Sequence, residues 1–354
     1  MTRRSLRFLP LVILCALVAS PSYADNGPTS IVTKRACRGA ACRAPAYQGS
    51  RNQGPEQTER FSQTYRVTGD GMLDLQNVAG DVRVTSGRGN EIRIDATKRV
   101  RTRDDNLTRR LLSELRIDVS HVGNRVEVRT MYPRTQGRNT SLSVDYVITV
   151  PVNAVVNVKA ISGDVSVAEV KGEVRAETVS GSVDITATPN LASAKTISGD
   201  VRARGITTGA TLTLGTVSGS VIASALEARV IEAGTVSGNV HLTNVRADRV
   251  QAKSMSGDIE FESRLSKGGR YEFNAHSGNV RVMLTQPSGF ELDASSFSGS
   301  IRSDFPITLR SSGGTDDSRN RRGPRNTAIR GTFGDASAVL SVRSFSGNVV
   351  ITRK

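Results

Sequence analysis

Nine times the chain writes Ser-Gly, then Asp, Ser or Asn, then Val or Ile, as in "ISGDVSV", "VSGSVDI" and "FSGNVVI". Aligned on Gly163, Gly181, Gly199, Gly219, Gly238, Gly257, Gly278 and Gly299, the copies are spaced 18, 18, 20, 19, 19, 21 and 21 residues apart. A further copy at Gly347 follows after 48 residues, and an early one, "NVAGDVRV", surrounds Gly80. A period near twenty predicts a solenoid, in which each unit buries its apolar face only by stacking on its neighbour.

The register within each copy is tight. Counting from the glycine, position −7 is Val156, Val174, Ala192, Leu212, Ile231, Val250, Tyr271, Leu292 and Leu340. Position −5 is equally apolar, position −3 is small (Ala, Thr or Ser), and +2 is always Val or Ile. Alternation with polar residues is period two and therefore strand. Parity breaks between −3 and −2, where Ile161, Val179, Ile197, Val217, Val236, Met255, His276, Phe297 and Phe345 stand. Read as a continuing core row, this requires a bend that keeps −2 facing inward, because a one-residue slip would turn every side chain outward. The glycine then marks a tight corner with little room for a side chain.

At about 3.3 Å per residue, a coil of twenty residues has a contour near 65 Å, enough for two or three short strands around a narrow core. Trp is absent and the aromatics are 4% of residues, so Val, Ile, Leu and Ala must fill that core. The expected fold is all-β: a single-domain parallel β-helix, or β-solenoid, of 18–21 residues per coil. One short helix is predicted in "DDNLTRRLLSEL", with Asp caps and Leu107, Leu111, Leu112 and Leu115 on one face. Gly123-Asn124 predicts a hairpin turn.

The start of the chain reads as a secretory signal over residues 1–24, with Arg3, Arg4 and Arg7 before an apolar run, Leu9–Ala19, and Ser22-Tyr23-Ala24 at the cleavage site. The run is too short to leave a stable membrane span. Residues 25–59 read as a polar linker carrying Cys37 and Cys42, which in an exported chain favour a local disulfide over a metal or redox site. The solenoid domain is expected over 60–354. Its parts are an irregular first part (60–150), regular coils (151–303), a loop insertion (310–330) and a final coil (331–354).

The early "NVAGDVRV", the lead-in "VDYVITVPV", the tandem "VSG" copies and the closing "GTFGDASAVLSVRSFSGNVVI" together resemble a bacterial family of β-strand-repeat proteins known as putative adhesins, a domain of unknown function. The resemblance covers about residues 60–354. It implies an exported or surface-exposed parallel β-helix without established catalytic residues.

Charge narrows the search for a site. The repeat region, 160–303, holds fourteen Lys/Arg against fifteen Asp/Glu, whereas 98–138 holds eleven against five and 310–330 six against two. Arg99, Arg101, Arg103, Arg109 and Arg110 are therefore the candidate anion-binding residues, for an anionic envelope polymer, a lipid or another envelope protein. Nucleic acid is disfavoured by the export signal and the missing aromatic platform. His121, His241 and His276 stand in different coils with no ligand spacing around them, and no nucleotide, zinc or nucleophile motif occurs, so no cofactor is expected. Asp164, Ser182, Asp200, Ser220, Asn239, Asp258, Asn279, Ser300 and Asn348 form a row at +1, expected to cap the corner rather than bind calcium.

The expected role is an exported, non-enzymatic, adhesin-like binding or scaffolding surface, periplasmic or at the cell surface. Two alternatives stand beside it. One is a β-helix enzyme acting on polysaccharide, with Asp184, Asp248, Glu260 and Glu262 as its available acids. The other is a periplasmic partner of an envelope-stress signalling system.

Overall fold

The computed structural model describes residues 56–133, 140–287, 289–309 and 327–354. Cys37, Cys42, the leader and most of the 310–330 insertion lie outside them. The repeats stack in register as parallel strands, as the spacing predicts. Along the +2 row, successive pairings join Tyr146, Val82, Val165, Val183, Val201, Val221, Val240, Ile259, Val280, Val349 and Ile301. All of them except Ile301 are buried, and with the −7 and −5 rows they form one continuous core, mostly aliphatic but, against the composition-based expectation, with Tyr146, Phe261, Tyr271, Phe273 and Phe290 fully buried in it. Middle coils carry three short runs: Val221–Ser237 pairs with Val240–Ser256 over residues 221–224, 226–228 and 230–235, and again at Ser237.

The order of coils differs from the order of the sequence at both ends. Strand Met72–Ala79 pairs with Val155–Ser162, so the Gly80 coil lies directly against the Gly163 coil. The intervening chain makes the cap. Strand Glu91–Arg101 runs antiparallel between Glu56–Arg66 and Ser141–Pro151, and the hairpin Arg116–Val122/Arg125–Met131 covers the edge of Met72–Ala79. The first strand starts at Glu56, inside the segment expected as linker.

At the other end the segment expected as the final coil does not take the last place. Strand Ala338–Ser346 inserts between Arg270–Ser277 and Gly289–Ser298, which makes the Gly347 coil the penultimate one. Antiparallel Thr327–Gly334 then covers Gly289–Ser298. Antiparallel cover of this kind occupies edges that would otherwise template further strands. The helix spans Asp105–Glu114, capped by Asp104, whose carboxylate accepts from the Asn106 and Leu107 amides. Leu111 and Leu115 are buried, with Leu107 and Leu112 packed against the core.

Two further corrections concern the row assignments. A bulge in the Gly199 coil puts Leu191, not Ala192, opposite Val174 in the core. More consequentially, the −2 row faces solvent. After the buried −3 residue, positions −2 and −1 both point outward before the chain turns in again at +2.

The corner explains this. Its glycines have φ between +131° and +154° in the copies from Gly163 to Gly278, and at Gly347. A Cβ on Gly219 would lie 2.0 Å from the carbonyl oxygen of Gly199 in the preceding coil, and every corner glycine meets a similar obstruction. The buried −3 hydroxyl then donates to that same carbonyl, as Thr196 does to Gly181 (2.8 Å), Thr216 to Gly199 (2.9 Å) and Thr235 to Gly219 (3.0 Å). The carbonyl is thereby satisfied wherever −3 is Thr or Ser, while Ala160 and Ala275 keep only the small size of the row.

Candidate binding surface

Once −2 and −1 are turned outward, stacking aligns their side chains. Val78, Ile161, Val179, Ile197, Val217, Val236, Met255, His276, Phe345 and Phe297 follow one another along one face, in the order set by the strand pairings. The nine apolar members are 37–57% exposed, Val78 the least and Met255 the most. At about 4.8 Å per coil the ladder is about 43 Å long. Its exposed apolar area is on the order of 600 Å², the upper end of the largest patch on an ordinary monomer.

The ladder ends in a ring stack. His276 and Phe345 lie 4.9 Å apart with planes 7° from parallel, and Phe345 and Phe297 4.8 Å apart at 5°. The three rings therefore stack face to face at this end of the ladder.

Beside the ladder, the outward −4 row supplies Gln76, Lys159, Glu177, Lys195, Gly215, Gly234, Lys253, Asn274, Arg343 and Ser295. The two rows flank a shallow groove floored by the buried −3 residues. It widens into a cavity of about 540 Å³ at the C-terminal coils, where Lys253 and Arg343 face Met255, His276, Phe297 and Phe345. A second, of about 250 Å³, lies among the N-terminal coils, where Arg129 and Lys159 face Val78, Met131 and Ile161. Neither cavity has an acidic residue in its wall. Lys159, Lys195, Lys253 and Arg343 form no ion pair among the described residues. The other side of the ladder is lined by the exposed −1 serines, such as Ser218 and Ser237.

The residues singled out from the sequence lie elsewhere. Arg99 pairs with Asp145 (2.8 Å) and Arg101 with Glu56 (2.6 Å), both on the antiparallel cap. Arg110 pairs with Glu114 (2.8 Å) along the helix, which raises its already high pKa, and Arg109 donates to Asn106. Arg103 precedes the helix and is engaged as well. The structure thus gathers these five at one end but gives the group several local acids and acceptors.

The +1 row is a set of inter-coil caps. The Asp164 side chain accepts from the Ser182 amide (2.7 Å), Asp200 from Ser220 (2.9 Å), Asn239 from Asp258 (2.9 Å) and Asp258 from Asn279 (2.7 Å). Among the histidines, Nδ1 of His241 meets Glu260 (3.0 Å) and Nε2 of His121 meets the Gly123 carbonyl (2.9 Å). Glu260 also approaches Arg281 (3.5 Å), Glu262 pairs with Lys354, and Asp184 lies 3.8 Å from Arg202. No group of three or more His, Cys, Asp or Glu among the described residues is arranged to hold a metal. No described helix is long and apolar enough to cross a membrane.

Several solved structures resemble the chain at low identity. A putative adhesin from Bacteroides fragilis NCTC 9343 is 14% identical with a TM-score of 0.35, over 84% of this chain and 97% of that one. A putative adhesin from Parabacteroides distasonis ATCC 8503 is 12% identical with a TM-score of 0.40, over 84% and 97%. A putative lipid binding protein from the same organism is 10% identical with a TM-score of 0.35, over 85% and 97%. No curated protein matches the chain. The family model that matches is Toastrack DUF4097, over residues 71–352, a span that takes in the Gly80 coil, the cap apart from strand Glu56–Arg66, and every later repeat, and the chain belongs to that family.

Proposed function

We propose that the protein is exported, loses residues 1–24, and serves in the cell envelope as a non-enzymatic binding surface. The observation that carries this reading is the ladder: an apolar row, solvent-exposed from coil to coil and flanked by cations that form no ion pair among the described residues. Large exposed apolar patches rimmed by polar groups mark interaction sites. The +1 carboxylates, by contrast, are taken up in holding one coil to the next.

The basic cap is a second contact for the same kind of partner. Arg99, Arg101, Arg103, Arg109 and Arg110 give it a positive field despite their local acids, and such a field strengthens encounter with anionic polymer or lipid at low salt. Fractionation of cells carrying a tagged chain tests the location, with a product starting near Asp25 expected in the envelope fraction. Purified mature protein should also sediment with envelope fragments, more weakly as salt rises. A tagged chain that keeps its leader and stays in the cytoplasm, or mature protein that never sediments with envelope material, refutes the reading.

A further inference from the structure

The geometry points to the surface of an anionic bilayer as the partner of the ladder; this rests on the binding-surface reading above and names its occupant. Three observations converge on it. The ladder is solvent-exposed from Val78 to Phe297, so it fits a broad apolar region, not the closed pocket that an extracted small molecule needs. Its members are Val, Ile, Met and Phe, which gain by entering the boundary between headgroups and acyl chains. The adjoining row places Lys159, Lys195, Lys253 and Arg343, which form no ion pair among the described residues, against one acid, Glu177, where anionic headgroups would lie when the ladder is immersed.

Other occupants match these features less well. A second copy laid along the ladder would bring the same unpaired cations towards each other. A sugar would stack on ring faces, but His276, Phe345 and Phe297 already cover most of theirs with one another. What remains outward is ring edges and methyl groups, which suits hydrocarbon.

The test is co-sedimentation of the mature chain, starting at Asp25, with vesicles of phosphatidylglycerol and phosphatidylcholine and with vesicles of phosphatidylcholine alone. Two variants probe the surface: Ile197→Ser/Val217→Ser/Val236→Ser on the ladder, and Lys195→Gln/Lys253→Gln/Arg343→Gln beside it. Binding to the anionic vesicles should fall about tenfold or more in the first. In the second it should fall about a hundredfold, with a weaker dependence on salt. Both variants should keep the parent's melting temperature, because the changed side chains are exposed.

Ladder-variant binding equal to the parent's overturns the assignment, as does loss of binding only when the five cap arginines are replaced by Gln. A parent that sediments in solution as a dimer, and a ladder variant that is a monomer, would assign the face to a second copy and also overturn it. Protein that binds envelope fragments but neither kind of vesicle defeats this inference and leaves the broader reading standing; protein that binds none of them defeats both.

Discussion

Gly219→Ala should be among the most damaging single-methyl additions to this protein. The new Cβ would sit 2.0 Å from the Gly199 oxygen and 2.6 Å from its carbonyl carbon, against an ordinary contact of about 3.4 Å or more. Relief requires separating two coils by more than about 1 Å. That separation strains the bonds on either side of the corner, from the Gly199 amide to Ser218 and from the Val201 amide to Ser220, both 2.9 Å. Loss of two such bonds is worth about 2 kcal/mol. The φ of +147° adds about 1–2 kcal/mol of backbone strain for any residue with a Cβ, for a total of about 3–4 kcal/mol. Gly205→Ala is the control. It also has positive φ (+65°), but its Cβ would meet nothing closer than 3.9 Å, so only about 1 kcal/mol of strain is expected. Urea unfolding followed by circular dichroism compares the two directly. Equal midpoints for both variants would refute the argument that close approach of coils, and not φ alone, demands glycine at the corner.

Val221→Asp buries an unpaired charge in the +2 row and should cost several kcal/mol, while Arg229→Ala, outside on the same coil, should leave the urea midpoint unchanged; similar midpoints for the two would mean the row is not core. Thr216→Val keeps shape but removes the hydroxyl that serves the Gly199 carbonyl, so it should cost about 1–2 kcal/mol, and a urea midpoint equal to the parent's is the refuting result. Burial raises the Tyr132 phenol from 10.0 to about 12 and pushes Tyr146 up further still. A raised phenol pKa favours the neutral form in the folded state, so this stability is complete below pH 10 and is lost as pH rises towards 12. Phenolate absorbance should therefore appear for these two together with loss of the N-terminal cap; their titration near pH 10 with the fold intact would contradict it.

Much of the fold is legible from the repeat alone, because stacking converts a sequence register directly into a spatial one. The buried +2 valines, the corner glycines and the Asp/Asn caps all stand where that register puts them. The −2 row departs from it for a physical reason. Val and Ile in a repeating row suggest core, yet the positive-φ glycine allows two consecutive outward residues, and apolar side chains on a surface carry no sequence mark of their own. The break in parity at −3 is the available signal. The insertion of the Gly347 coil before the Gly299 coil cannot be read locally, since strand order depends on which edge is free, although its 48-residue spacing sets it apart. The basic surplus of 98–138 is legible, but its acids are not: Glu56 and Asp145 reach the arginines from strands far along the chain. The cations beside the ladder are hidden in the sequence because they are spread among separate coils, and Lys195 and Lys253 stand within a neutral region.

Because the chain contains no tryptophan, a single Val217→Trp substitution gives an uncontaminated optical probe of the ladder. In the free mature protein its emission should be that of a water-exposed indole, accessible to aqueous quenchers. With anionic vesicles it should move to shorter wavelength and be quenched by brominated acyl chains, while Arg229→Trp, exposed on another part of the coil, should not respond. An indole at 217 that is already shielded in the free protein, or one that ignores vesicles while the indole at 229 responds, would contradict an outward apolar ladder as the contact surface.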